Sequence, residues 1–129
     1  MRLLLDTHTI LWFFMGNSRL SDKVRDLVED GHNHKLISVA TVWEMSIKQS
    51  QNKLTLEKTA SDYIEEKIRL DDFELLPIQL NHLRILSSLP FYHKDPFDRL
   101  LIAQAMQENI PILSKDMAFY AYPIQRIWD

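Results

Sequence analysis

The sequence predicts an α/β fold, with a central, largely parallel sheet flanked by helices in three layers. Three observations carry that prediction. Short, continuously apolar runs such as Leu3-Leu4-Leu5 read as strands buried on both faces. These runs alternate with stretches of helical period. Acidic residues recur just beyond the runs, where open α/β sheets place their ligands.

Each element follows from local chemistry. After Leu3-Leu4-Leu5, Thr7 to Met15 reads as a helix that stops at Gly16-Asn17. Ser21 caps an amphipathic helix, Asp22 to Glu29, which Gly31 ends. His32 and His34 flank Asn33 in a polar loop, and Leu36-Ile37 forms a short strand. Ser38 caps a helix from Val39 to about Ser50, and another runs from Glu57 to Leu70 with Ala60, Tyr63, Ile64 and Ile68 inward. Phe73 to Leu76 is a strand ended by Pro77, and a helix follows over Asn81 to Ser88. Asp95-Pro96 opens a long helix to about Asn109, because proline suits the first helical position. Ile112-Leu113-Ser114 is a strand running into Lys115-Asp116, and a helical turn and a last strand around Ile124 to Ile127 close the chain.

Composition bounds the function. At 129 residues the chain is one domain with a single core. No apolar stretch spans a bilayer, and the start Met1-Arg2-Leu3-Leu4-Leu5-Asp6 is unlike a secretory signal, so no membrane association and a cytoplasmic location are expected. The absence of cysteine excludes disulfides, thiolate zinc sites and a cysteine nucleophile. The formal charge is −3, yet setting four of the 18 acidic residues aside leaves 14 against 15 basic ones. Net charge therefore does not exclude a polyanionic substrate.

Four acids stand out: Asp6, Glu44, Asp98 and Asp116. Asp6 and Asp116 follow strands, and each also suits the cap of a following helix or turn. Asp95 reads as the cap of the Pro96 helix, with Asp98 in its first turn. Asp98 shares a helical face with Leu101, Ile102 and Ala105, which directs it toward the core edge and favours a site role. Glu44 lies mid-helix between Trp43 and Met45, and its ordinary partner is Lys48 one turn on. Gathered together, such carboxylates call for a hard divalent cation with oxygen ligands.

Four segments sharpen this reading: Leu3-Leu4-Leu5-Asp6-Thr7-His8, Ser38 to Lys48 (SVATVWEMSIK), His93 to Ala105 (HKDPFDRLLIAQA) and Ile112 to Tyr120 (ILSKDMAFY). In content and order they resemble the PIN-domain ribonucleases, specifically the VapC-type toxins of bacterial type II toxin–antitoxin pairs. The resemblance implies a single PIN domain over residues 1–129 and a Mg²⁺- or Mn²⁺-dependent endoribonuclease, whose products carry 5′-phosphate and 3′-hydroxyl ends. It implies a catalytic, metal-binding quartet of Asp6, Glu44, Asp98 and Asp116, with Asp95 as an auxiliary acid. It also implies a small cognate antitoxin and a toxin homodimer. Ser114 stands where threonine is more usual, and Lys115 where arginine is frequent.

Lys48, Arg99 and Lys115 are candidates for phosphate contacts or for salt bridges to the acids. His8 and His93 read as hydrogen-bonding scaffold residues ahead of general acids or bases. The run Ile10 to Met15 is apolar around the whole helix, which predicts complete burial, or else a partner groove on part of it. Two rivals bracket the nuclease. A phosphoacceptor domain wants an acidic pair after its first strand, where this chain has Thr7-His8. A non-catalytic, PIN-like regulatory protein tolerates loss of the acids.

Overall fold

Leu3, Leu4 and Leu5 are fully buried, as a strand covered on both faces requires. In the computed structural model, which describes residues 1–129, they belong to β1 (Arg2–Leu5), the central strand of a five-stranded sheet. The other strands are β2 (His34–Ser38), β3 (Phe73–Leu76), β4 (Ile112–Leu113) and β5 (Arg126–Ile127). Their order is β3-β2-β1-β4-β5 and every pairing is parallel. Leu5 pairs with Ile37 on one side and Leu113 on the other, so the carboxyl ends of β1, β2 and β4 are level. The strand order reverses beside β1, which opens the crevice where α/β sheets take ligands.

Side-chain alternation divides the core in two. Leu3, Leu5, Ile37 and Leu113 face one layer, packed against Ile10 of α1 (Thr7–Met15), Val24 and Val28 of α2 (Asp22–Glu29), Met45 of α3 (Val39–Ser50) and Ile64 of α4 (Ala60–Asp71). Leu4, Leu36 and Ile112 face the other, against Leu101, Ile102 and Ala105 of α6 (Pro96–Glu108). Ile85 and Leu86 of α5 (Leu80–Ser87) pack on this second layer. The result is the three-layer arrangement expected from sequence. No helix is long and apolar enough to cross a membrane.

The caps explain most boundaries. Asp6, Ser21, Ser38, Thr59 and Asp95 each accept a backbone N–H of the first turn of α1, α2, α3, α4 and α6. Gly16 closes α1 in the left-handed region at φ +63°.

Four expectations need correction. The fourth helix begins at Ala60 rather than Glu57, because the Thr59 hydroxyl accepts from the Asp62 amide and fixes the start. Gly31 is not a left-handed cap: α2 ends on Asp30, at φ −71°, and the Asp30 carboxylate turns the chain by accepting from the His32 amide. His34 is in β2 rather than a loop, paired with Arg2 and bonded to Glu74 on β3. The aromatic run of α1 is not wholly buried. Ile10 is enclosed, but Trp12, Phe13 and Phe14 are half-buried and Met15 is 53% exposed. An outer-layer helix has only one face against the sheet, and α1 covers its flanks partly with Trp128, Phe73 and Tyr63.

Candidate metal centre

Asp6 leaves the carboxyl end of β1 and caps α1, its Oδ1 accepting the Thr9 amide at 2.9 Å. Its Oδ2 accepts the Ser114 hydroxyl at 2.5 Å, from the turn after β4. The same hydroxyl oxygen accepts the Asp116 amide at 3.0 Å, so Ser114 ties the first acid to the last across the crevice. Burial pushes the Asp6 carboxyl above the usual carboxylate range, opposed by the Ser114 and Thr9 hydrogen bonds.

Glu44 reaches the same edge from α3. It is buried, and its Oε1 accepts the Thr7 hydroxyl at 2.6 Å while Oε2 meets Lys48 Nζ at 3.1 Å. Lys48 is therefore the partner its one-turn spacing foretold. Thr7, the residue after Asp6, joins two of the four acids.

Asp98 and Asp116 complete the group through His93. The His93 Nε2 lies 2.9 Å from Asp116 Oδ2 and 3.2 Å from Asp98 Oδ2. One potential ligand atom from each of the three lies within 4.8 Å of the others. Burial pushes the Asp98 carboxyl up to about 7, reinforced by the charges of Asp95, Asp6 and Glu44 and opposed by His93. Desolvation is the larger cause, and the like charges add to it. At Asp116, partial burial opposes ionisation, but the Ala118 amide and His93 outweigh it and hold the carboxyl below its usual range.

Asp95 caps α6, its Oδ1 accepting from Phe97 and Asp98 at 2.8 and 2.9 Å. It serves as a cap and also adds charge beside Asp98. His8 lies exposed against Trp12, at 5.6 Å between ring centroids.

Arg99 corrects the expectation of a phosphate contact. It is buried, and its guanidinium donates to the carbonyls of Leu89, Pro90 and His93 and stacks on Phe91 at 3.8 Å. Nor does it salt-bridge an acid. Its charge holds the loop before α6 against the helix. Lys115 is exposed and 5.9 Å from the Trp12 ring centre, free of the acids.

Sequence reasoning passed over Thr7, Thr9 and Tyr122. The threonines were visible as hydroxyls beside an acid, whereas Tyr122, whose hydroxyl accepts the His93 amide at 2.9 Å, left no local signal.

The carboxylate oxygens of Asp6, Glu44, Asp98 and Asp116 are hard donors and fit a hard divalent ion, and His93 Nε2 is the one nitrogen grouped with Asp98 and Asp116. None of the four surface pockets is lined by these acids: Asp6 and Glu44 are buried, Asp98 and Asp116 are partly exposed, and Trp43, the residue before Glu44, is exposed and edge-on to Phe97 at 5.0 Å.

Residues 3–125 match the sequence profile of the PIN domain. No curated protein is similar enough to count as a match. Among solved structures, VapBC2 from Rickettsia felis bound to a DNA fragment from their promoter matches with a TM-score of 0.72 and 17% identity, over 100% of both chains. A toxin–antitoxin complex from Klebsiella pneumoniae gives 0.64 and 16%, over 97% of this chain and 95% of that one. The PIN domain endonuclease Utp24 gives 0.53 and 14%, over 99% and 86%. At such identities the likeness is one of fold.

Proposed function

The chain belongs to the PIN-domain family, whose members are generally nucleases, and on that premise we propose that it is a divalent-metal-dependent endoribonuclease. In this reading residues 1–129 act as a single cytoplasmic domain, the VapC-type toxin of a toxin–antitoxin pair. The observation that carries the nuclease reading is geometric: Asp6 is tied to Ser114 at the end of β1, and Asp98 and Asp116 lie within 3.2 Å of one His93 nitrogen at the same sheet edge, where burial and the neighbouring carboxylates hold Asp98 above the usual range. Two unit charges 4 Å apart repel by about 4 kcal/mol at an effective dielectric near 20. A fold that brings Asp6 from the end of β1 and Glu44 from α3 into the field of Asp98 on α6, with Asp116 nearby on the turn after β4, retains that repulsion unless a cation offsets it.

Asp6, Asp98 and Asp116 would hold Mg²⁺ or Mn²⁺, with Glu44 as a ligand or through water. When bound, such an ion lowers the pKa of water and stabilises charge on phosphate oxygens. The chain's own residues perform the rest. Ser114 and Thr9 fix the Asp6 carboxylate, while Thr7 and Lys48 fix Glu44. Lys115 is exposed and unpaired with any acid, which supports a contact from it to a backbone phosphate. Trp43, beside Glu44 and 54% exposed, offers a flat face on which an unpaired base can stack. Single-stranded RNA suits an open site of this kind.

The antitoxin reading is supported by the toxin–antitoxin complex with which the chain shares its fold, and by a groove lined by Met15, Leu56 and Tyr63 beside the half-exposed aromatic flank of α1. A toxin homodimer belongs to the same proposal.

Asp6→Asn and Asp98→Asn test the mechanism. Each is expected to fold and to lose RNA cleavage by at least about a hundredfold, and chelation is expected to silence the unaltered protein. Full cleavage in both variants, or undiminished cleavage in chelator, refutes it. A purely regulatory protein shows no metal-dependent cleavage and keeps its effect in both variants. Expression alone is expected to arrest growth, and co-expression of an adjacent antitoxin gene to restore it.

A further inference from the structure

By distance alone, His93, Asp98 and Asp116 form a histidine–carboxylate metal triad. The second ring nitrogen argues otherwise. His93 Nδ1 accepts the Asp95 backbone N–H at 3.2 Å. An amide can only donate, so Nδ1 presents its lone pair and the ring proton resides on Nε2. A metal-bound Nε2 needs the opposite tautomer, which sets Nδ1–H against the Asp95 N–H, donor to donor. Turning the ring over instead places carbon atoms against both the Asp95 amide and the Asp116 carboxylate.

The surroundings hold this arrangement. The Asp95 carboxylate is engaged with the Phe97 and Asp98 amides, so the Asp95 backbone cannot turn away without loosening the start of α6. The His93 amide donates to the Tyr122 hydroxyl, its carbonyl accepts from Arg99 at 3.3 Å, and its ring lies tilted 31° against Phe119. Tyr122 donates in turn to the Pro90 carbonyl at 2.6 Å. Backbone, ring and helix start are therefore fixed together, and the Nε2–H is aimed at Asp116 Oδ2, with Asp98 Oδ2 alongside at 3.2 Å.

We propose that His93 is a positioning residue, a tautomer-fixed donor whose Nε2–H holds Asp116 beside Asp98 in one preformed cradle, and that it is not itself a metal ligand. This rests on the divalent-metal reading above. The donor offsets the repulsion of the two acids before a cation arrives and leaves an all-oxygen ligand set. Outer partners that orient ligands commonly contribute 10–100-fold to metal affinity.

The test joins nitrogen NMR of the imidazole with calorimetric titration of Mg²⁺ and Mn²⁺. In the unaltered protein, Nδ1 is expected to be bare and Nε2 protonated, both without metal and with saturating Mg²⁺. His93→Ala is expected to weaken Mg²⁺ and Mn²⁺ by similar factors, roughly 10–100-fold. His93→Gln, whose amide N–H can still donate, is expected to stay within about threefold of the unaltered protein, well inside the range for lost outer partners. A bare Nε2 in the Mg²⁺ complex overturns the proposal, as does equal loss in Ala and Gln. So does a loss in Ala that falls mainly on Mn²⁺, the mark of a missing nitrogen ligand. Full affinity in Ala overturns it too. If neither variant folds, the ring nitrogens of the unaltered protein decide the matter alone. If Mg²⁺ and Mn²⁺ bind nowhere on the unaltered protein, the metal-dependent reading fails and this proposal with it. A bound ion with the wrong tautomer overturns only the role of His93.

Discussion

A carboxyl held at about 7 on a folded protein makes stability depend on pH in a direction opposite to that of most acids. Asp98 binds its proton more tightly in the folded chain than in the unfolded one, where its value is 3.8. Its contribution is therefore fully present below about pH 4 and is lost as pH rises through about 7, at roughly 1.4 kcal/mol per unit within that window. Asp6, also raised, adds to the same trend, while Asp116, lowered, acts oppositely and only under acid conditions. Urea unfolding of the metal-free protein is expected to give lower stability at pH 7.5 than at pH 5. Asp98→Asn is expected to flatten most of that difference, and Mg²⁺ at pH 7.5 to offset it. Equal stability at the two pH values would show that the acids do not share one field.

Among the elements, α6 carries the most information, because its first turn joins a helix cap, an acid of the site and the loop that carries His93. Asp95 contributes there in two separable ways. Asp95→Ala removes the cap and is expected to cost about 1 kcal/mol in denaturant unfolding. Asp95→Asn keeps a capping oxygen while deleting the charge, so its expected signature is a lower Asp98 pKa, with stability kept in acid and raised at pH 7.5. Carboxyl-carbon NMR titration distinguishes the two. The elements were legible in the chain because their signals are local: a serine or threonine before a helical run, proline at the first helical position, three leucines in succession. Resemblance to known segments then separated Asp98 from Asp95. Long-range closure was not legible. Arg99 reads as an available cation until the Leu89, Pro90 and His93 carbonyls fold back upon it. Thr7 acquires its role only when α3 brings Glu44 across 37 residues. The full burial expected of α1 failed similarly, since an apolar run does not state how many faces its neighbours can cover.

In the whole molecule the central strand is also the first made, and one of its two neighbours is the second-last. Leu4 N–H donates to the Pro111 carbonyl and Asp6 N–H to the Leu113 carbonyl, while Ser114 joins Asp6 across 108 positions. A chain ended at Asn109 retains Asp6, Glu44 and Asp98 but lacks β4, β5, Ser114 and Asp116. It is expected to bind no Mg²⁺ by calorimetry, and measurable binding by that fragment would show that three acids suffice. The consequence concerns translation. As the ribosome extends the chain, Asp6 has no opposite wall until β4 and Ser114, more than a hundred residues behind it, have left the exit tunnel. In this order of assembly the acidic edge is complete only after β4 and the turn that carries Ser114 and Asp116 have joined β1.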